Sequence, residues 1–310
     1  KEYELNKIKT FGLSAILIVT FVDFSLSQSG QGSSTGLAFL KLGIGGRASA
    51  LGEAYTAVTD EATATYWNPA GLAFVNRAEL AFTHTEWIQG ITNDFFAFVF
   101  PAFRGTIGLS FYSNNVGGIE RRVIPSAEPL GSVEAHDIAF GISYARAFNS
   151  WVNGGLTVKY LYEKISIESA SGFAFDFGVS FQPFQNNIRL AAVAQNIGSM
   201  GKLREQSIDL PKTVRVGLAY LVEIDAIGGA ILFAADGVKV SETEFRGNFG
   251  AELQLKQMLA FRLGYQTGFD EKSLGGGFGL NFERYHLDYG YTPFNSNFGD
   301  THRFSLRLNL

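Results

Sequence analysis

Residues 172–181, GFAFDFGVSF, decide the fold of this chain. Every second position is apolar and the positions between carry Ala, Asp, Gly and Ser; the apolar residues are Phe173, Phe175, Phe177, Val179 and Phe181. Side chains of a β-strand point alternately to opposite faces, so one face of this strand is apolar and the other is small or polar. A Phe-rich face opposite a polar one is typical of a strand with lipid outside and a polar lumen inside.

Fourteen segments with this alternation lie between residues 78 and 310. The predicted strands are residues 78–87, 93–101, 104–113, 136–147, 151–163, 172–182, 186–196, 212–222, 228–238, 244–255, 258–266, 274–282, 285–292 and 301–310. Their even number, and the longer connections 114–135 and 197–211 at one end only, match bacterial outer-membrane barrels. An unpaired strand edge is costly in hydrocarbon, so the last strand is expected to pair with the first. The prediction is an all-β membrane protein, a 14-stranded antiparallel transmembrane β-barrel over residues 78–310.

The composition narrows the class of protein further. The 310 residues are 46% hydrophobic and include 36 Gly and 29 Phe, yet no mature apolar run is long enough for a transmembrane helix. The formal net charge is −4 without a basic patch, so no nucleic-acid partner is expected. The absence of Cys excludes structural disulfides, thiolate nucleophiles and Cys zinc sites.

The amino terminus has the pattern of an export signal. Three lysines precede the apolar core FGLSAILIVTF, which is too short to span a bilayer, and small residues follow where a signal peptidase reads. Residues 1–27 are therefore predicted to be a signal peptide and residues 28–36 a flexible mature leader. A buried amino-terminal helix is the alternative. The predicted location is the bacterial outer membrane, whose lipid would surround the barrel.

Residues 37–77, which we call the hatch, are predicted to form a small helical plug in the lumen. Ala48, Leu51, Tyr55 and Val58 recur at helical spacing. Asp60 stands where an N-cap would begin a second short helix. Two small helices in front of a barrel suggest a plug rather than a separate domain.

Charged residues of both signs recur on the positions that face the lumen. They are Lys159, Glu163, Arg215, Arg246, Glu252, Arg262, His286, Asp288 and Arg307. Opposite charges could form ion-pair ladders that brace the hatch, and the alternative is a polar permeation path. A barrel of this size is narrower than an open porin and has a hatch to fill it, which favours bracing.

No enzyme, cofactor or metal site is predicted. The four His residues lie in or beside separate strands, and the chain contains neither an HExxH motif nor a G-x-S-x-G elbow. Gly43-x-Gly45-x-x-Ala48 loosely matches a dinucleotide fingerprint but lacks the strand and helix repeat that such a site needs. The alternatives are a metal site or a Ser and His pair that assembles only in three dimensions.

Residues 39–73, FLKLGIGGRASALGEAYTAVTDEATATYWNPAGLA, resemble the amino-terminal signature of the PorV/PorQ family, one of the FadL-like outer-membrane barrels. The resemblance implies fourteen strands and a hatch with an Asn-Pro-Ala element, which Asn68, Pro69 and Ala70 would match. The other residues that would shape the hatch are Gly45, Gly46, Arg47, Gly52, Asp60, Trp67 and Gly71. One departure is the carboxyl terminus, since such barrels usually end in an aromatic residue and this sequence ends in Leu310.

Two functions compete within this resemblance. Proteins similar to PorV act in type IX secretion, which implies exported cargo proteins and secretion-complex subunits as partners. Proteins similar to FadL pass hydrophobic small molecules, such as fatty acids or aromatic compounds, through the hatch and a gap in the wall. The signature favours secretion, and hydrophobic transport is the alternative. A purely structural surface role is a third interpretation.

The connection 114–135 is the expected contact for a partner or ligand. Its residues of interest are Asn114, Asn115, Gly117, Gly118, Arg121 and Arg122. Arginine beside apolar residues suits either a protein tail or a fatty carboxylate. Glycine at a strand end can mark a kink or a lateral opening. An ordinary solvated loop is the alternative.

Overall fold

The computed structural model describes residues 36–120, 131–184, 187–203, 205–241, 243–269, 273–294 and 299–310. Fourteen antiparallel strands form a closed barrel, which confirms the predicted fold class. The predicted signal peptide and nearly all of the predicted leader lie outside the described residues. In the described part of the chain, no helix is both long and apolar enough to cross a membrane.

The strands are numbered in chain order. Their bounds are β1 Glu79–Glu86, β2 Thr92–Ala102, β3 Gly105–Glu120, β4 Ser132–Ala147, β5 Val152–Ile165, β6 Glu168–Phe184, β7 Ile188–Met200, β8 Lys202–Leu203, β9 Gln206–Ser207, β10 Thr213–Ile224, β11 Gly229–Val240, β12 Arg246–Leu255, β13 Leu259–Gln266, β14 Leu274–Phe282, β15 Tyr285–Pro293 and β16 Asp300–Asn309. β8 and β9 form a separate two-stranded sheet, and β7 pairs directly with β10 in the barrel.

Pairing of β1 with β16 closes the barrel. The ladder runs from Glu79 opposite Asn309 to Glu86 opposite His302. At its centre the hydroxyl oxygens of Thr83 and Ser305 are 2.9 Å apart. The barrel sheet therefore has no open edge, as the cost of unpaired backbone groups in lipid requires.

The alternation in the sequence corresponds to the two faces of the wall. On β6, Phe173 and Phe177 are 56% and 52% exposed on the outside, whereas Asp176 is 1% exposed on the inside. An exterior of large apolar side chains suits lipid. We call the end of the barrel at which β1 begins and β16 ends the inner end, and the opposite end the outer end.

The hatch crosses the lumen from one wall to the other. It contains a 3₁₀ turn Ala38–Lys41, helix α1 Gly46–Ala50, helix α2 Ala64–Trp67 and a 3₁₀ helix Pro69–Phe74. Helix α1 packs against β13 to β16, and the 3₁₀ helix packs against β3 to β6 on the opposite side. The buried apolar core lies mainly within this segment, where Leu51, Tyr55 and Trp67 are at most 1% exposed.

The hatch helices differ from the predicted ones. Helix α1 ends at Ala50 instead of continuing through Val58, because Gly52 and Glu53 adopt φ values of +63° and +60° that break a right-handed helix. Thr63, not Asp60, occupies the N-cap of α2. The carboxylate of Asp60 instead faces two arginines.

The described part of the predicted loop 114–135 is mostly strand. Asn114, Asn115, Gly117 and Gly118 lie on β3, which continues to Glu120. Strands that project beyond the membrane have water on both faces, so their sequence carries no apolar alternation. The prediction of a loop at these four residues is therefore wrong, and Arg121 and Arg122 lie outside the described residues.

Candidate functional site

Glycines of the barrel wall allow the hatch backbone to approach closely. A Cβ atom added at several of them would come within 3.0 Å of a hatch atom; among these are Gly155, Gly178, Gly217, Gly250, Gly264, Gly277 and Gly290. Six of the seven face one another across strand pairs, as Gly155 with Gly178, Gly250 with Gly264, and Gly277 with Gly290. We call these seven positions the glycine belt.

The close approach at the glycine belt also explains why one position of the hatch, residue 52, is glycine. Gly52 has a φ of +63°, and a Cβ there would lie 2.7 Å from the backbone nitrogen of Tyr265 on β13. Both the backbone conformation and the available space therefore require glycine. Gly45, at the N-cap of α1, also has a positive φ, of +89°.

The Asn68-Pro69-Ala70 element holds two hatch segments together. The side-chain oxygen of Asn68 accepts a hydrogen bond from the Ala70 nitrogen at 3.1 Å and caps the 3₁₀ helix. Its side-chain nitrogen donates to the Thr56 carbonyl at 3.0 Å. Asn68 is 1% exposed, and this element lies against Gly155 and Gly178 of the wall. The asparagine thus fixes both the turn and its distance from the preceding segment.

Trp67 forms the centre of the hatch. Its indole nitrogen donates to the Ile44 carbonyl at 3.1 Å, and its ring contacts those of Tyr55 and Tyr66 at centroid distances of 5.7 and 5.2 Å. The guanidinium carbon of Arg215, on β10, lies 5.0 Å from the ring centroid. A wall cation therefore stacks on the central aromatic residue of the hatch.

An ion-pair network ties the hatch to the inner half of the wall. Arg47 donates two hydrogen bonds of 2.9 Å to the carboxylate of Glu252 on β12. Glu252 also pairs with Arg262 on β13, whose Nη1 is 2.7 Å from Asp288 Oδ1 on β15. This arrangement brings together the predicted residues Arg47, Glu252, Arg262 and Asp288.

Glu61 is a second anchor of the hatch. Tyr55 and Thr63 donate to its Oε1 at 2.8 and 2.9 Å, and Arg307 Nε on β16 is 3.2 Å from Oε2. Burial alone would raise the pKa of Glu61, but the charges of Arg307 and Arg47 and the hydrogen bonds from Tyr55 and Thr63 lower it to about 2. The carboxylate is therefore ionised at neutral pH.

Asp236 on β11 binds the hatch backbone. Its Oδ2 accepts hydrogen bonds from the backbone nitrogens of Tyr55 and Thr56, at 3.0 and 2.9 Å, and from the Thr56 hydroxyl at 2.6 Å. Asp236 was not among the predicted residues, although its position on the inward face of the apolar strand ILFAADGVKV is a usable signal. Glu61 lies on the hatch and not on a strand, so no alternation of inward and outward side chains could have indicated it.

Asp60 lies at the inner face of the hatch. Its carboxylate oxygens are 3.8 Å from Arg47 Nη1 and from Arg189 Nη1 on β7. These three residues help to line a cavity of about 240 Å³, together with Asn187 and Gln254. Asp60 is partly exposed, with 41% of its side chain accessible.

The remaining predicted lumen residues occupy separate positions. Lys159 Nζ is 2.8 Å from Asp176 Oδ1 and also contacts Asn196, at a bulge where β7 loses register with β6. Arg215 donates to the Gln195 side chain at 3.2 Å, and Arg246 stacks on Phe269 at 3.9 Å. Neither arginine belongs to the ion-pair network of Arg47, Glu252, Arg262 and Asp288.

The four described residues of the predicted partner loop do not form one cluster. Asn114 donates to Asp137 at 2.9 Å inside the lumen, and Asn115 is 2.8 Å from His136. Gly117 and Gly118 form a β-bulge, because the ladder with β4 shifts register between Val116 and Ile119. An added Cβ at either glycine meets no atom of the described residues within 4 Å.

Metal-binding groupings are absent from the residues that the structure describes. None of its His, Asp and Glu side chains gather in threes or more in a way that could hold a metal ion. His84 pairs with Asp94 at 2.7 Å and His302 with the Tyr289 hydroxyl at 2.8 Å, on strands of the wall. The interface between hatch and wall, where most of the predicted hatch and lumen residues meet, is the candidate functional site.

Comparisons with known proteins agree with this geometry. Residues 22–120 match the model of an uncharacterised protein family, UPF0164. The CymD monoaromatic hydrocarbon channel is 12% identical, with a TM-score of 0.59 over 89% of this chain and 99% of that chain. The toluene transporter TodX of Pseudomonas putida is 11% identical, with a TM-score of 0.60 over 84% and 95%. No curated protein matches this chain. The chain shares the barrel fold of these two channels.

Proposed function

We propose that this protein is an outer-membrane channel in which the hatch controls the passage of hydrophobic small molecules. One observation carries the proposal. The hatch crosses the lumen, but in the described residues each hydrogen bond between hatch and wall involves a side chain. The hatch can therefore shift by exchanging side-chain contacts, without breaking the β-ladders that close the barrel.

The shared fold supports this function over an open pore. CymD and TodX are channels for aromatic hydrocarbons, and this chain covers almost the whole length of each. At 11–12% identity the likeness concerns the fold, so the substrate class is our proposal. The apolar exterior also supports a location in the outer membrane, reached by way of the proposed signal peptide.

Secretion remains the second candidate, because residues 39–73 resemble the PorV/PorQ signature. The residues that carry this resemblance, however, are mostly buried between hatch and wall, as Trp67 and Asn68 illustrate at 0% and 1% exposure. Packing inside the barrel is sufficient to explain why these residue types occur at these positions. Exported cargo proteins or secretion-complex subunits would have to contact other parts of the protein, such as the outer connections.

Uptake measurements test the transport proposal. Cells whose outer membrane carries the protein should accumulate labelled toluene faster than cells that lack it, whereas their uptake of labelled glucose should be unchanged. Equal rates of toluene uptake would overturn the proposal. Purification of the tagged barrel from its native membrane, followed by mass spectrometry, tests the second candidate, since recovered exported proteins or secretion subunits would favour secretion.

A further inference from the structure

The cavity of about 240 Å³ beside Asp60 lies at the inner mouth of the barrel. On the hatch it is lined by Arg47 and by residues 57, 58 and 60, and we call residues 57–60 the inner segment of the hatch. The wall residues that line it lie near the inner ends of β7, β10, β11 and β12. The cavity therefore separates the inner segment from this part of the wall.

Half of the residues that line the cavity are apolar. They are Ala57, Val58, Ala219, Leu221 and Leu232. An apolar cavity of about 150 Å³ is large enough to hold benzene. The space beside the inner segment is therefore sufficient for a small aromatic molecule of the kind that the proposed channel would carry.

Arg189 of β7 connects the wall to the inner segment. Its Nη1 donates to the carbonyl oxygens of Ala57 and Val58 at 3.3 and 3.4 Å, and lies 3.8 Å from Asp60 Oδ2. Its guanidinium carbon lies 3.9 Å from the ring centroid of Phe74, the last residue of the 3₁₀ helix. Among the described residues, no other wall side chain is hydrogen-bonded to the inner segment. One arginine thus connects two parts of the hatch to β7.

These hydrogen bonds are longer than those of the residues on either side. Asp236 accepts hydrogen bonds of 3.0 and 2.9 Å from the backbone nitrogens of Tyr55 and Thr56, which directly precede the inner segment. Glu61, which directly follows it, accepts a hydrogen bond of 2.8 Å from the Tyr55 hydroxyl. Hydrogen bonds weaken as the distance between donor and acceptor grows. The inner segment is therefore held less firmly than its neighbours in the chain.

The polar side chains of the inner segment add little to hold it. The carboxylate of Asp60 is 3.8 Å from both Arg47 and Arg189, beyond hydrogen-bonding distance, and its exposure to water screens both ion pairs. Local opening needs least free energy where such contacts are weak, so this segment is expected to leave the wall first. Arg47 lies on α1 and lines the same cavity, so the movement is expected to involve α1 as well.

We propose that Arg189 holds the inner segment of the hatch against the wall, and that the hatch opens at this cavity once the Arg189 contacts are broken. The inference rests on the proposed transport function and adds the place at which the hatch leaves the wall. Arg189 acts through the hatch backbone and not on a solute, so it is a positioning residue. Because its contacts are weak, they can break while the β-ladders of the wall stay intact.

Thiol labelling measures this opening. Val58→Cys places the single Cys of the protein beside the cavity, at a position that is 4% exposed in the closed hatch. A charged maleimide, added to the purified barrel in non-ionic detergent, should label this Cys slowly. Addition of Arg189→Gln should raise the labelling rate about tenfold, because loss of its hydrogen bonds increases the population of the open state. An unchanged rate would overturn the proposal.

Two controls show whether the effect is local. Arg146→Gln removes an exposed arginine from the inner end of β4 and should leave the labelling of Val58→Cys unchanged. Thr65→Cys, on α2, is 2% exposed and does not line the cavity, so it should stay unreactive when combined with Arg189→Gln. If Thr65→Cys were labelled as fast as Val58→Cys, Arg189 would support the hatch as a whole and an opening at the cavity would be wrong.

Toluene uptake separates this inference from the function on which it rests. Cells with the Arg189→Gln protein should accumulate toluene severalfold faster than cells with the unmodified protein. If the unmodified protein carries toluene but Arg189→Gln changes neither labelling nor uptake, the role of Arg189 is wrong and the channel stands. If Arg189→Gln speeds labelling as expected but neither protein raises uptake above that of cells lacking it, the opening stands and the channel is wrong.

Discussion

Arg47 of the hatch and Glu252 of β12 form an ion pair with two hydrogen bonds of 2.9 Å inside the barrel. The Glu252 side chain is fully buried and also binds Arg262, which in turn binds Asp288. One hatch residue is thereby connected to charges on three wall strands. Because the desolvation of all these groups is already incurred on folding, loss of one partner leaves the others uncompensated.

Arg47→Gln should lower the free energy of unfolding by about 3 kcal/mol, as expected when one partner of a buried ion pair is removed. The measurement is denaturant unfolding in detergent, followed by Trp fluorescence. Arg284→Gln, in the exposed turn between β14 and β15, is the control and should change stability by less than about 0.5 kcal/mol. A similar small change for Arg47→Gln would contradict the role of this ion pair.

Two glycines on neighbouring strands test the glycine belt. A Cβ on Gly264 would overlap the backbone of Gly52, whereas a Cβ on Gly276 meets its nearest atom at an ordinary 3.5 Å. Gly264→Ala should therefore destabilise the hatch by about 1–3 kcal/mol, and Gly276→Ala should not. Protease digestion of the folded barrel would measure how readily the hatch is exposed. Equal protection of the two variants would show that the hatch does not need this close approach.

The low pKa of Glu61 predicts how stability depends on pH. Its folded value of about 2 lies below the ordinary 4.5, so its contribution is fully present above pH 4.5 and is lost as the pH falls from 4.5 toward 2. The shift corresponds to about 3 kcal/mol. Glu61→Gln should remove this part of the pH dependence. Melting temperatures of both proteins between pH 6 and pH 2 provide the test, and parallel curves would be the contrary result.

Asn68→Ala should destabilise the hatch by about 2–3 kcal/mol, because the 3₁₀ helix loses its cap and the buried Thr56 carbonyl loses a donor. Asn149→Ala is a matched control, since Asn149 accepts similar backbone hydrogen bonds in the exposed turn between β4 and β5. Unfolding of both variants in denaturant gives the comparison. If the two substitutions cost the same, the Asn-Pro-Ala element is an ordinary turn.

Much of the barrel could be predicted from the sequence because lipid imposes a period of two on each strand. GFAFDFGVSF shows this directly, and the closure of β1 on β16 follows from the cost of a free edge. The outer parts of β3 and β4 could not be predicted in this way, since residues 114–118, NNVGG, show no apolar alternation. The alternating signal is present only where the wall meets hydrocarbon.

The contacts of the hatch were less accessible to sequence reasoning. The family resemblance pointed to Arg47 and Asn68, and the alternation of side chains along β12 pointed to Glu252. No local sequence pattern indicates that Arg47 and Glu252, which are 205 positions apart, form an ion pair. Helical spacing from Ala48 to Val58 was misleading, because a positive φ at Glu53 depends on tertiary packing. Such contacts are set by the closed wall as a whole.

The most direct test of the central claim is a reversible disulfide between hatch and wall. The hydroxyl oxygens of Ser49 on α1 and Thr292 on β15 are 3.1 Å apart, so Ser49→Cys with Thr292→Cys should form a bridge. Ser143→Cys with Thr157→Cys is the control, because these oxygens are 2.7 Å apart on the paired wall strands β4 and β5. The chain has no other Cys to interfere.

Toluene uptake is then measured with and without reductant, after mass spectrometry has verified each bridge. The account predicts that the bridge between hatch and wall reduces uptake to that of cells lacking the protein, that reductant restores it, and that the bridge within the wall has no effect. Undiminished uptake through the oxidised Ser49 and Thr292 variant would show that the hatch does not control passage.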